Sequence, residues 1–348
     1  MKHFYLLLFL LISHFSKAQI IQQNGWELSG HMEAYYSYEF NRPENHQRPD
    51  FLYNYKRHNE FSVNLAFIRA KYEDENIRGN LALMTGTYAQ FNLADEPAWA
   101  QMVYEASVGV RLYDKLWLDV GIMPSHIGFE SAEGMETWHL SRSLLAENSP
   151  YFLTGGRLTY MALEDLEVTL WAGNGWQNVQ RQEGHQSLAL GLGLNYQPLE
   201  GLEINYSNFF GNEYPQTLRL NRFYNNFYTM YSFSKWGVTV GADYGVEEAI
   251  FRPFNEWYAF TASLRRQLGE KFYLALRADH YSDVNGVILN SGLEVTGYSV
   301  NLDYQVHPKA LARIELRQFN SPEPIFDLPG GRVSTGNTAI NSSLAIRF

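Results

Sequence analysis

The residues most able to do chemistry in this chain of 348 residues are charged groups recurring at alternate positions. Arg313, Glu315 and Arg317 alternate in ARIELR, and Arg277 and Asp279 in LRAD. Further members stand at Arg111, Asp119, Arg157, Glu167, Glu203, Asp243, Asp303 and Arg347. Each occupies the phase opposite a row of Leu, Ile or Val, and period-2 alternation puts such a row on one face of a strand. Carboxylates and guanidiniums so placed suit either electrostatic selection of a passing solute or cross-strand pairing that stabilises a wall. They do not suit catalysis. A hydrolase on a barrel needs His and Ser close together, with an Asn to orient the His. His139-Leu140-Ser141 and His185-Gln186-Ser187 supply the types, but in or beside loops. The ten histidines form no metal-ligand spacing such as H-x-E-x-H, and GLGLN at Gly191–Asn195 is a strand, not a phosphate loop. No catalytic, cofactor-binding or metal-binding residue is assigned, no cofactor is implied, and no enzyme is expected.

The elements that must position these charges read as strands throughout. In Ser187–Tyr196, Leu188, Leu190, Leu192 and Leu194 alternate with Ser187, Ala189, Gly191 and Gly193. Leu116–Met123, Trp236–Gly245 and Leu344–Phe348 repeat the pattern. Every second connection is a short polar turn, whereas the others are long loops. That rhythm fits a transmembrane antiparallel β-barrel of about sixteen strands, with long outer loops and short periplasmic turns, better than a soluble sandwich. The third strand is read as Ile77–Phe91. A barrel this wide leaves a polar lumen, and small inward residues (Gly173, Gly191, Gly193, Gly241) would keep it open. Trp26, Trp117, Trp176, Trp236, Trp257 and Tyr281, near strand ends, are expected in interfacial girdles. The longest non-alternating segment, 124–151, is the candidate constriction. Its middle, Ala132–Ala146, has few breakers and is expected to form a helix exposing Glu133, Glu136, His139 and Arg142, with Glu130 just before it.

Composition sets the limits. Met1-Lys2-His3, an apolar run Phe4–Ile12 and Ser16-Lys17-Ala18 read as a signal peptide over 1–18, cleaved after Ala18, leaving 19–348 as one barrel domain. The chain has no cysteine, which excludes disulfide frameworks and thiolate chemistry. Aromatic residues make up 16 % and charged residues only 18 %, a balance that favours strands and membrane interfaces. The net charge of -10 argues against a nucleic-acid partner.

Gly121-Ile122-Met123-Pro124-Ser125-His126-Ile127-Gly128-Phe129-Glu130 resembles the G-x-x-P-x-x-I-G-x-E element of the beta-barrel porin-2 (OmpL-like) family. Ser141-Arg142-Ser143-Leu144-Leu145, Pro150-Tyr151-Phe152-x-Thr154-Gly155 and Asn174-Gly175-Trp176 match its next landmarks in order. The resemblance implies a bacterial outer-membrane channel for small hydrophilic solutes or ions, in contact with lipid. The ending in Phe348 resembles the signature read by the barrel-insertion machinery. A homotrimer is compatible with the family, although the sequence defines no interface. The competing reading is a closed or plugged barrel serving binding or adhesion.

Overall fold

A computed structural model describes residues 24–348; the expected signal peptide lies outside the described residues. The strands are β1 (Trp26–Glu39), β2 (Phe61–Glu73), β3 (Ile77–Thr85), β4 (Val103–Tyr113), β5 (Leu116–Pro124), β6 (Phe152–Met161), β7 (Leu166–Gly173), β8 (Ala189–Leu199) and β9 (Leu202–Asn212). They continue as β10 (Asn221–Phe233), β11 (Trp236–Glu248), β12 (Phe254–Gln267), β13 (Phe272–Asp283), β14 (Leu293–His307), β15 (Ala310–Asn320), β16 (Phe326–Leu328), β17 (Arg332–Ser334) and β18 (Gly336–Arg347). All but β16 and β17, which form a hairpin within one long loop, close a single antiparallel barrel of sixteen strands in sequence order.

Alternation dictates the two faces. The apolar phase points outwards and stays uncovered: Val108 is 70 % exposed, Ile68 61 % and Leu344 53 %. A continuous apolar exterior of this kind is stable only in a bilayer. No helix among the described residues is long and apolar enough to cross a membrane, so the strands span it. Closure relies on β1 and β18. The N–H of Phe348 donates to the Gly30 carbonyl at 3.0 Å, and that of Gly30 to the Phe348 carbonyl at 2.9 Å. The Phe348 ring lies across the seam over Gly30, where a Cβ would fall 2.5 Å from it and push the ring aside.

Two local readings are corrected. The third strand does not run to Phe91; it stops at Thr85, and Thr87–Asn92 forms a short helix. Gly86 ends the strand with a φ of 124°, and any Cβ there would collide with the Asn64 carbonyl. The helix expected over Ala132–Ala146 is absent. The segment holds a 3-10 turn at Gly134–Glu136 and one helical turn at Leu144–Glu147, because its backbone groups bond to the barrel wall instead of to one another.

The inward phase is not uniformly polar. Towards the long-loop end, Trp171, Phe209, Tyr224, Trp257, Tyr281 and Phe319 point into the lumen. Phe51, Leu52, Ile127, Leu144, Leu145, Val287 and Phe326 descend from the loops to meet them. Tyr224 stacks on Trp257 with centroids 6.0 Å apart, and Trp176 meets Phe209 and Tyr224 edge-on at 5.1 and 5.0 Å. The girdle assignment is thereby corrected for Trp176, Trp257 and Tyr281, which serve this inner core. Trp117 also faces inwards, beneath the Arg78 guanidinium at 4.4 Å. Trp26 and Trp236 remain on the outer face. These inward aromatics would otherwise face a water-filled lumen, and covering one another gains about 25 cal/mol for each Å² withdrawn from water.

Candidate functional site

Loop 125–151 leaves the rim, enters the lumen and crosses to the far wall. Its neck is held by the Ser125 N–H donating to the Tyr151 carbonyl at 3.0 Å. His126 is half-buried against β9, with Nε2 3.0 Å from the Asn208 carbonyl, and the Gly128 N–H donates to Asn226 Oδ1 at 3.2 Å. Farther along, the Leu140 N–H donates to Asn301, the Ser141 N–H to Glu315 and the Leu144 N–H to Asp279, at 3.0, 3.1 and 3.2 Å. Within the loop, Arg142 donates to the carbonyls of Ser131, Leu140 and Ala132 at 2.6, 2.7 and 2.9 Å. One guanidinium thus fixes the loop's own shape. Near the short-turn end, Glu136 accepts from Arg347 at 2.8 Å, and Trp138 lies where a side chain at position 237 would otherwise be. The loop spans the lumen from one end to nearly the other.

Beneath it lies a charge-balanced cluster. Arg313 binds Asp303 at 2.8 Å and donates to the carbonyls of Gly134, Thr137 and His139 at 2.6, 2.6 and 3.0 Å. Arg317 binds Asp279 at 2.8 Å. Arg277 reaches Glu130, Asp279 and Glu315 at 3.3, 3.2 and 3.7 Å and donates to the Ser141 carbonyl at 2.9 Å. Arg265 approaches Asp303 at 3.7 Å. His139 sits among them, with Nε2 2.7 Å from Ser263 Oγ and Nδ1 3.2 Å from Ser299 Oγ. Burial, then the four surrounding arginines, pushes its pKa well below the usual value. It is therefore a neutral bridge between two hydroxyls.

On the β2–β9 side the loop does not fill the lumen. A cavity of about 370 Å³ towards the short-turn end is lined by Lys71, Glu73, Arg78, Asp119, Arg157 and Glu167, with Asn80, Thr159, Thr169, Asn195 and Asn205. A second, of about 260 Å³ towards the long-loop end, is bounded by Arg69, Met84, Tyr88, Tyr104, Glu130, Glu133 and Tyr151. Ser125 and Gly128 line both. The loop's proximal limb, at its neck, therefore borders both chambers. Arg78 is paired with Asp119, Lys71 with Glu73 at 2.8 Å, and Arg69 with Glu105 and Glu133 at 3.3 and 2.9 Å.

The sequence model of the family described as putative beta-barrel porin-2, OmpL-like, matches residues 25–348. The chain belongs to this porin family. It is a channel protein of the bacterial outer membrane. Solved structures share the fold at low identity. The anion-selective porin from Comamonas acidovorans superimposes with a TM-score of 0.61 at 8 % identity, over 93 % of this chain and 99 % of that one. OmpF of Salmonella typhi, solved with daunomycin, gives 0.61 at 13 %, over 94 % and 99 %. The trimer form of OmpT from Vibrio cholerae gives 0.59 at 10 %, over 93 % and 99 %. No curated protein matches the chain in sequence.

In this porin the residues expected to line the lumen fall into three groups. Asp119, Arg157 and Glu167 face the larger chamber, and Glu203 touches two of its lining residues, accepting from Asn195 and Tyr228 at 2.6 Å each. Asp243, Arg277, Asp279, Asp303, Arg313, Glu315 and Arg317 point inwards but are buried by the loop and core. For them, contact with an open lumen is corrected to contact with protein. Arg111 and Arg347 stay at the short-turn rim, paired with Asp114 and Glu136. The loop residues diverge likewise: Glu133 lines the outer chamber, Glu130 lines it while bound to Arg277, and Glu136 reaches the rim. His139 and Arg142 are buried, not exposed. Of the inward glycines, Gly193 lines the larger chamber, whereas the other three hold no space open. A Cβ at Gly191 would meet His126 at 2.5 Å, one at Gly241 would meet Phe129 at 3.1 Å, and one at Gly173 would overlap the Trp171 ring. Gly193 lies beside His126 at 3.5 Å.

Arg69, Lys71, Glu73, Arg78 and Glu105 were not singled out by the pattern, although they line or flank the chambers. Lys71 and Glu73 abut a charged turn and read as part of it. The phase of β2 also slips at a bulge opposite Glu33 and Ala34. Counting inward positions onward from Phe67, beyond that bulge, identifies Arg69, Lys71 and Glu73.

Proposed function

We propose that the channel passes small hydrophilic solutes or ions by passive diffusion through the gap between loop 125–151 and the β2–β9 wall, with no bond made or broken. The observation that carries this reading is that the two chambers share Ser125 and Gly128 in their linings. Hydroxyl, amide and balanced charged groups around the larger chamber replace part of a solute's hydration. Asp119, Arg157 and Glu167 are the predicted groups in contact with solute, and the loop sets the width. Planar-bilayer recording of the detergent-folded protein tests this. Discrete conductance steps are expected, and deletion of Ala132–Ala146 should enlarge them. An unchanged conductance after the deletion removes the loop from the path.

The aromatic core at the long-loop end favours a second reading, a closed barrel that binds rather than conducts. A folded protein that stays silent in the bilayer decides for it. A homotrimer is proposed here by likeness to OmpT of Vibrio cholerae, which has been solved in a trimer form, and is checked by cross-linking in detergent. An exported precursor cleaved after Ala18 belongs to the same reading and is checked by sequencing the mature N-terminus.

A further inference from the structure

We propose that Arg157 is the specificity-determining residue that keeps the neck of this channel passable to anions; the inference rests on the diffusion reading above. Arg157 projects from β6 into the larger chamber, and its Nη1 donates to the Pro124 carbonyl at 3.3 Å. Pro124 immediately precedes Ser125, one of the two residues that line both chambers. The guanidinium is thereby anchored beside the stretch of loop that both chambers share.

Its neighbours are already engaged. Lys71 is paired with Glu73 and Arg78 with Asp119, so each pair is neutral. On the outer side of the neck, Arg69 is shared between Glu105 and Glu133, and one cation against two carboxylates leaves that side negative. Among the described residues, Arg157 makes no ion pair within 4.0 Å, and its buried Nε has no partner. Glu167 carries the other free charge of the chamber, but its strand partner is Met161 whereas that of Arg157 is Trp171. Glu167 therefore stands towards the short-turn mouth and away from the neck. A fixed charge acts most strongly where low-dielectric walls are closest and water is least able to screen it. With Arg157 present, an anion leaving the outer chamber meets a compensating cation. Without it, the path is negative from Glu133 to Glu167, and only cations cross freely.

The test is the reversal potential of single channels in a salt gradient, using potassium chloride, for the wild type, R157Q, R157K and K71Q. R157Q is expected to lower chloride permeability relative to potassium several-fold. R157K should keep the wild-type ratio, and K71Q, which removes a cation from the same chamber but away from Pro124, should shift it by much less than R157Q does. A wild-type ratio in R157Q overturns the proposal. An equal shift in K71Q also overturns it, because net lumen charge and not the neck would then decide. Should R157Q fail to assemble, R157H supplies the comparison within one protein: chloride permeability should rise as pH falls between about 8 and 5. A flat response overturns the proposal. A wild-type barrel that is folded but silent defeats the diffusion reading itself, and this inference with it.

Discussion

The β12–β15 wall and the β2–β7 wall carry the same residue types at the same alternate positions, yet end in opposite surroundings. On the first wall, loop 125–151 lies over the charges, and the side chains of Arg313 and Asp303 retain 0 % exposure. On the second, the loop stands off and a chamber remains; Lys71 and Glu73 keep 41 and 48 %. Arg78 and Asp119, at 23 and 5 %, fall between. What separates a structural ion pair from a lining charge here is the cover supplied by one loop, not the strand pattern. A covered charge has lost its water and depends on its partners, whereas an uncovered one keeps water as an alternative.

The sharpest way to break this comparison is Arg313→Ala. It leaves Asp303 with Arg265 at 3.7 Å as its nearest cation and the Asn301 amide as a neutral donor, and deprives the carbonyls of Gly134, Thr137 and His139 of a donor. Removing one partner of a buried pair costs about 3–5 kcal/mol. The melting midpoint in detergent should fall accordingly, and limited proteolysis should cut within loop 125–151. A variant as stable and as protease-resistant as the wild type would mean that the cluster does not hold the loop.

Acidification probes the same seating with a smaller effect. Burial pushes His126 down to about 4, against the ordinary 6.5, and Arg157 acts in the same direction. The seated loop therefore binds fewer protons than a displaced, solvated loop between those two values. Seating is unaffected above 6.5, weakens as pH falls through that interval, and loses on the order of 3 kcal/mol by its lower end. His139, lowered mainly by burial, adds in the same sense. Proteolytic sensitivity of the loop should rise as pH drops from neutral, and His126→Asn should flatten the response. Greater protection at low pH would contradict the sign.

The barrel was legible in the sequence because lipid on one face and lumen on the other impose a period of two on every strand. Leu188 to Leu194 and Arg313 to Arg317 carry that imprint without ambiguity. The route of the loop was not legible. Its backbone is satisfied by Asn226, Asn301, Glu315 and Asp279, which lie far away in sequence, so no local periodicity records it. For the same reason an inward Asp303 and an inward Asp119 look alike until something covers one of them. Aromatic side chains mislead similarly: Trp236 and Trp257 both sit near strand ends, but one faces lipid and the other the inner core.

The smallest predicted effect is the one that sharpens the comparison. Lys71→Gln and Glu73→Gln each remove half of a pair held at 2.8 Å, a distance equal to that between Arg313 and Asp303. Distance alone would therefore predict equal losses. Water reaches both Lys71 and Glu73, so either side chain can be rehydrated when its partner goes, and measured exposed pairs are worth about 0–1 kcal/mol. Arg78→Gln should fall between these variants and Arg313→Ala, because Asp119 is buried while Arg78 still meets solvent. Melting midpoints of the three sites should rank in that order, and added salt should narrow only the Lys71 difference, since covered pairs are poorly screened. Equal losses at Lys71 and Arg313 would show that the loop excludes no water, and that the two walls are one environment.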